Sequence, residues 1–327
     1  MKVRLLGGCQ IGASSAENII LDGTGQVRHI ILDSGAQMTN NNSLEELGHI
    51  LPEQADAIII SHAHRDHVGY LPWLLRKFLN TSALYMSRPT TYLTNIGWND
   101  SHDIFQREAK KDFKNNWLLD AFSEGVEKAN QILKIIEEPG RTEIFPGVFM
   151  TVGSSGHLPG AMWVMFEAEG KVVLYSADIS FQDRPTVRGA ILDEFPKKKI
   201  DAFFMDSTCG DREIPELMAE EQRMLEDIRK AKSEGRTVFI AALSRGRLPD
   251  IALFLAQNGI DVFIDGPSGN TVLDETLGPD CHWSDHEPMI ESREYNSRYA
   301  GMEFGTYCFG DGEGSKIRKI ENPNQRA

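Results

Sequence analysis

Short apolar runs closed by Gly, Ser or Asp recur along the first two thirds of the chain: Val3–Leu6, Ile19–Leu21, His29–Leu32, Ala57–Ile60 and Leu84–Met86, then Thr142–Ile144 and Val148–Val152. Runs this short, bounded by turn residues, predict strands. Trp163–Phe166 and Lys171–Tyr175 flank Glu169-Gly170, a hairpin signal, and Asp201–Met205 predicts a further buried strand. Helical periodicity takes over in three places. One helix is expected over Val68–Phe78. A long helical region is expected from Thr90 to Glu138, with Trp98, Phe105, Phe113, Trp117, Leu118 and Phe122 on its apolar side. From Pro215 to Ser233, Leu217, Met218, Met224, Leu225, Ile228 and Ala231 recur at helical spacing, and Pro215 suits a first turn. Then follow a strand (Thr237–Ala241), a helix (Leu248–Gln257) and a strand (Val262–Ile264), an alternation that predicts a parallel α/β unit. After Gly269 the periodicity fades, and residues 270–327 carry no assignable element.

The chemistry is concentrated in one stretch, Ser61-His62-Ala63-His64-Arg65-Asp66-His67, where a strand passes into a helix. On an extended segment His62 and His64, two apart, point the same way. Asp66 and His67 then open the helix and turn to a neighbouring point, so one loop can serve two metal ions. Imidazole and carboxylate suit zinc, and manganese or iron fit the same donors. Three strand ends add candidates. Asp33 in Leu-Asp-Ser-Gly is either a turn residue or an acceptor that orients a ligand histidine. His157 lies in the small-residue loop Gly153–Gly160, and Asp178 follows Ser176-Ala177. Ser244-Arg245-Gly246-Arg247 precedes a helix, where arginines suit a phosphate and equally suit a solvated basic loop.

Composition narrows the setting. With 327 residues, 25% charged and 41% hydrophobic, the chain is in the globular range, long enough for two domains. No apolar run reaches the ~20 residues of a membrane span, and Met1–Leu6 lacks a signal-peptide core. No membrane partner and a cytoplasmic location are therefore expected. The four cysteines form no CxxC pair, against a zinc knuckle. A net charge of −14 argues against a broad basic nucleic-acid surface but not against a local cleft around divalent ions.

Asp33, the His62–His67 loop, His157 in Gly-His-Leu-Pro-Gly-Ala and Asp178 in Tyr-Ser-Ala-Asp-Ile-Ser, in this order, resemble the four motifs of the metallo-β-lactamase superfamily. Asp206-Ser-Thr-Cys-Gly-Asp-Arg212 resembles the acidic signature of its β-CASP branch of nucleic-acid-processing nucleases, with Cys209 where Tyr is common. Phe239–Arg247 and Val262–Ser268 resemble later elements of that branch. Its two closing histidine motifs are not legible: His282 and His286 are the only later histidines, in unlike surroundings.

The resemblance implies an α/β (α+β) fold, an αββα sandwich at residues 1–208 with a partial β-CASP α/β unit at 209–269 and an unassigned tail at 270–327. It implies two zinc ions, one held by His62, His64 and His157, the other by Asp66, His67 and a bridging Asp178, with Asp33 behind them. Asp66, Asp178 and Asp206 are the expected catalytic carboxylates, and Ser244, Arg245 and Arg247 the expected substrate contacts. The implied activity is endo- or 5′-exonucleolytic hydrolysis of RNA. Single-stranded RNA is the first partner expected, DNA the second, and a homodimer is left open. Two other readings stand beside it: hydrolysis of a small ester, lactam or thioester, and a catalytically weakened partner subunit of an RNA-processing complex.

Overall fold

A computed structural model describes residues 1–8, 13–36, 51–113, 116–260, 262–265, 271–272 and 305–307. Two sheets face each other. The first is built in chain order from β1 (Lys2–Gly7), β2 (Ser15–Leu21), β3 (Val27–Leu32), β4 (Ala57–Ile59), β5 (Ala83–Ser87) and β6 (Leu133–Ile136). β1 to β3 form an antiparallel meander, and β3 to β6 run parallel. Parallel neighbours need crossovers. Among the described residues two of these carry helices: α1 (Arg65–Val68) and α2 (Leu71–Lys77) lead from β4 to β5, and α3 (Arg88–Lys111) and α4 (Asn116–Ile132) lead from β5 to β6.

The second sheet holds β7 (Gly140–Phe145), β8 (Val148–Ser154), β9 (Met162–Ala168), β10 (Lys171–Tyr175) and β11 (Ala202–Phe204). Its pairs are antiparallel except β10 with β11.

The burial pattern explains why β4 reads as an unbroken apolar run rather than an alternation. Ala57 and Ile59 face the second sheet, packed in one cluster with Ile30, Leu32, Val148, Val164 and Phe166. Ile58 and Ile60 face the helices, packed with Leu71, Leu74, Trp98 and Phe122. A strand covered on both faces has no polar side to show. The outer face of the second sheet presents Trp163, Met165 and Leu174 to Phe195 and Ile200, on a segment with one 3-10 turn at Leu192–Glu194. Beyond the sandwich, α5 (Leu217–Ser233) and α6 (Arg247–Gln257) pack through Leu225, Ile228 and Leu255.

Four expectations are corrected. The helix expected over Val68–Phe78 is two helices, because α1 ends at Gly69 and α2 starts afresh with Pro72 in its first turn. The long helical region ends at Ile132, and Leu133–Ile136, which closes on the β-branched pair Ile135-Ile136, pairs with β5 instead. No strand forms at Thr237–Ala241, because among the described residues no strand runs beside it; Phe239 is 70% exposed. In the tail, Gly305–Tyr307 forms β13, which pairs in parallel with β12 (Phe263–Asp265). His282 and His286 lie outside the described residues.

Candidate metal centre

The site lies at one edge of the sandwich, where both sheets contribute loops. From the first sheet comes the segment after β4, carrying His62, His64 and His67. From the second come the loop after β8, carrying His157, and the loop after β10, carrying Asp178. The loops are laced by backbone hydrogen bonds. The Met162 N–H donates to Ser61 O (3.0 Å), joining the two sheets at the site. Ser14 N–H donates to Asp66 O (2.6 Å), Ser34 N–H to His67 O (2.7 Å) and Ala36 N–H to Arg65 O (3.0 Å), so α1 is clamped from beneath. Two non-glycine residues stand in the left-handed region beside ligand positions, Asp33 at φ 61° and Ala177 at φ 50°. Such conformations cost about 1–3 kcal/mol each and persist only where the surroundings over-determine them.

His62, His64, His157 and Asp178 each bring one ligand atom within 4.8 Å of the others. His62 Nε2 is 3.2 Å from His64 Nδ1, and His157 Nε2 is 3.0 Å from that same atom. Asp178 Oδ2 lies 3.8 Å from His62 Nε2 and 3.5 Å from His157 Nε2. Donors held tetrahedrally at 2.0–2.1 Å from a zinc ion are about 3.3 Å apart, so this spacing fits such an ion.

Protonation fits it too. Burial holds His62 well below the ordinary imidazole range, helped by His67, His64 and His157. Burial also lowers His64, and it pushes His157 down to about 4. Neutral rings then turn lone pairs toward one point. His64 Nε2–H donates to the Arg245 carbonyl (3.1 Å), which leaves Nδ1 free to face the site. His62 Nδ1 meets Ser61 Oγ at 3.1 Å, and Ser61 Oγ donates to Asp33 Oδ2 at 2.8 Å. Outer partners of this kind fix ring tautomers.

His67 is not one of the four convergent groups. Its Nδ1 meets Asp33 Oδ2 at 2.8 Å and its Nε2 meets Asp178 Oδ1 at 3.2 Å. Burial alone would lower its pKa, yet Asp33 and Asp178 raise it well above the usual value. Burial would raise Asp178, and the facing His67 instead holds it at about 2. A positive charge, proton or cation, is therefore favoured between His67 and Asp178. Both Asp178 oxygens are engaged, Oδ1 toward His67 and Oδ2 toward His62 and His157.

The remaining candidates fall around this centre. Asp33 is buried, with Oδ1 accepting from the Ser61 N–H (2.7 Å). Asp66 opens α1, half-buried. Asp206 is half-buried after β11; its Oδ1 accepts from the Thr208 N–H (2.8 Å) and its N–H donates to Ser176 Oγ (2.9 Å). Ser244 lies half-buried in the turn before α6. Arg245 points inward, its Nη1 donating to Ala63 O (2.8 Å). Arg247 is exposed at the start of α6 and lines a groove of about 650 Å³ with Arg184, Val238 and Asp250.

Two partners were not legible as such. Ser61 was visible only as the first residue of the histidine loop. Arg184, whose Nη1 donates to His157 O (3.1 Å), carries no motif.

The Metallo-beta-lactamase superfamily profile matches residues 17–204, the span from β2 to β11 that builds this site. The chain is 26% identical over 227 residues to a ribonuclease of Thermus thermophilus, covering 68% of this chain and 49% of the relative. It is 28% identical to an RNase J-like protein of Methanocaldococcus jannaschii, covering 76% and 53%. It is 27% identical to cleavage and polyadenylation specificity factor 73 of Drosophila melanogaster, covering 79% and 36%. The chain thus spans about half the length of the first two curated relatives and about a third of the last. The crystal structure of a protein of unknown function from Enterococcus faecalis superposes with a TM-score of 0.56 at 15% identity, covering 95% of this chain and 70% of that one, which speaks to the fold alone. No helix among the described residues is long and apolar enough to cross a membrane.

Proposed function

Because the chain belongs to the metallo-beta-lactamase superfamily, with relatives of its β-CASP branch, we propose that it is a metal-dependent hydrolase of phosphodiester bonds in single-stranded RNA, acting in the cytoplasm. The convergence of His62, His64, His157 and Asp178 carries this reading. In it, residues 1–208 are the catalytic core and residues 209–269 a partial β-CASP unit.

His62, His64 and His157 would hold one ion, and Asp66 and His67 the other, with Asp178 shared between them. Zinc suits these donors best, and manganese or iron would fit. Such ions lower the pKa of bound water and neutralise charge developing on phosphoryl oxygens. The chain's own part is orientation and charge. Asp33, through Ser61 and directly, keeps His62 and His67 turned toward the site. Asp178 presents one oxygen to His67 and the other to His62 and His157, and Asp206 would orient ligands or relay a proton. Arg247, exposed on the groove that Arg184 also lines, would hold a flanking phosphate with Ser244 beside it, whereas Arg245, expected there too, directs its guanidinium inward to Ala63 O.

The net charge of −14 keeps a second reading alive, hydrolysis of a small ester, lactam or thioester. Metal analysis of the purified chain, followed by cleavage of 5′-labelled RNA with and without chelator, separates the two. We expect transition metal in the protein, chelator-sensitive RNA cleavage and its loss in His157→Ala. Metal binding with turnover of small esters but not RNA would favour the second reading. A chain that binds metal yet cleaves neither would be a weakened partner subunit.

A further inference from the structure

The two arginines of Ser244-Arg245-Gly246-Arg247 face different ways. Arg247 is exposed at the head of α6, whereas Arg245 turns inward against the metal loop. We propose that Arg245 is a positioning residue of the metal centre, clasping the Ala63 carbonyl and the His64 ring and thereby tying the unit beyond the sandwich to the geometry of the first ion. The inference rests on His64 being a metal ligand.

The clasp has two contacts. The Arg245 main-chain carbonyl accepts the His64 Nε2–H at 3.1 Å, which leaves Nδ1 as the free lone pair. The Arg245 guanidinium donates through Nη1 to the carbonyl of Ala63 at 2.8 Å. Ala63, fully buried, sits between the two ligand positions His62 and His64. One residue therefore holds the backbone between the ligands and the ring of the second.

Its own position is fixed from two directions. Gly246 stands at φ 97°, a conformation that glycine alone adopts freely, and this sets the peptide plane carrying the Arg245 carbonyl. On the other side the guanidinium lies against α3. A Cβ added at Gly97 would fall 2.4 Å from Nη1, 3.0 Å from Cζ and 3.3 Å from Nη2, so the missing side chain there is the seat of the arginine. Burial works against its charge, which Asp100, one turn on, and Asp66 favour and Arg65 opposes.

Gly97 gives the test an entry outside the ligand set. In the middle of a helix Gly→Ala is ordinarily favourable, because glycine is the poorer helix former. Here it pushes the guanidinium off its seat. The whole 327-residue chain is titrated with zinc against a chromophoric chelator, and cobalt(II) replaces zinc for a visible spectrum that reports ligand geometry. Thermal melts run alongside.

Arg245→Ala keeps the carbonyl that accepts from His64 but removes the guanidinium that holds Ala63 O, so it should weaken the first ion's site about tenfold, the low end of the loss on removing outer support of a metal ligand. Its cobalt spectrum should shift. Arg245→Lys, which keeps a donor for Ala63, should recover most of the affinity. Gly97→Ala should weaken zinc and shift the spectrum without lowering the melting temperature of the metal-free protein. In an Arg245→Ala background Gly97→Ala should add nothing to the zinc loss, the sign of a shared path.

Parental zinc affinity and an unchanged cobalt spectrum in folded Gly97→Ala would overturn the proposal, even if Arg245→Ala proved too unstable to assay. Additive losses in the double variant would overturn it as well. If the parent binds no zinc at all, the metal reading of the site falls with it. If the parent binds normally and the variants match it, only the role of Arg245 is lost.

Discussion

Gly35 stands where a side chain has no room. A Cβ there would lie 1.6 Å from the Asp66 carbonyl, the same carbonyl that accepts the Ser14 N–H. Its φ is ordinary, so its requirement is distance rather than backbone freedom. Gly35→Ala should therefore push α1 away and lower stability by about 1–3 kcal/mol, the usual cost of overpacking. Zinc stoichiometry should fall at the His67 side first. A variant with parental melting temperature and metal content would show that the loop gives way cheaply.

Asp33 is a second such case. Asp33→Ala leaves the buried Ser61 N–H and His67 Nδ1–H without their acceptor and puts an alanine at φ 61°; about 1–3 kcal/mol per unsatisfied group is expected in a denaturant melt. At this scale residue type and spacing made the histidines and carboxylates stand out. Contacts across the fold were not legible. Nothing in the sequence says that Gly35 meets Asp66, that Ser61 links His62 to Asp33, or that a carbonyl 181 positions away meets His64.

Among the elements, α6 carries a buried carboxylate that ties it to the segment between β10 and β11. Asp250 Oδ1 accepts from both the N–H and the hydroxyl of Thr186, at 3.1 and 2.6 Å, and burial raises its pKa. Asp250→Ala should expose the segment from Ser244 to Gln257 to faster hydrogen exchange while β4 stays protected, since the two share no packing cluster. Equal protection in parent and variant would mean that the apolar contacts of α6 suffice alone. The strands of the sandwich were legible because both faces of β4 are covered and β8 to β10 carry strong apolar runs. Leu133–Ile136 was hidden at the end of a helical pattern, where only its partner β5 reveals a strand. Thr237–Ala241 shows the reverse: its composition asks for a sheet, and β-propensity without a neighbouring strand has nothing to pair with.

On the scale of the whole molecule, the site needs both sheets at once. Chelation should therefore lower global stability rather than loosen one loop. At free zinc a thousandfold above the dissociation constant, binding contributes about 4 kcal/mol, so a melt with chelator should shift down clearly and return on adding zinc. An unchanged melting temperature would place the ion outside the cooperative fold.

The layout of the two sheets has a further consequence. The first sheet is complete at Ile136 and the second begins at Gly140, with an exposed link between them. His62, His64 and His67 lie before the link, His157 and Asp178 after it. A chain cut there would give two fragments, each carrying part of the coordination sphere and half of the shared apolar core. Reassembly of the pair would answer to the ion, which makes this protein a natural candidate for a zinc-responsive split reporter.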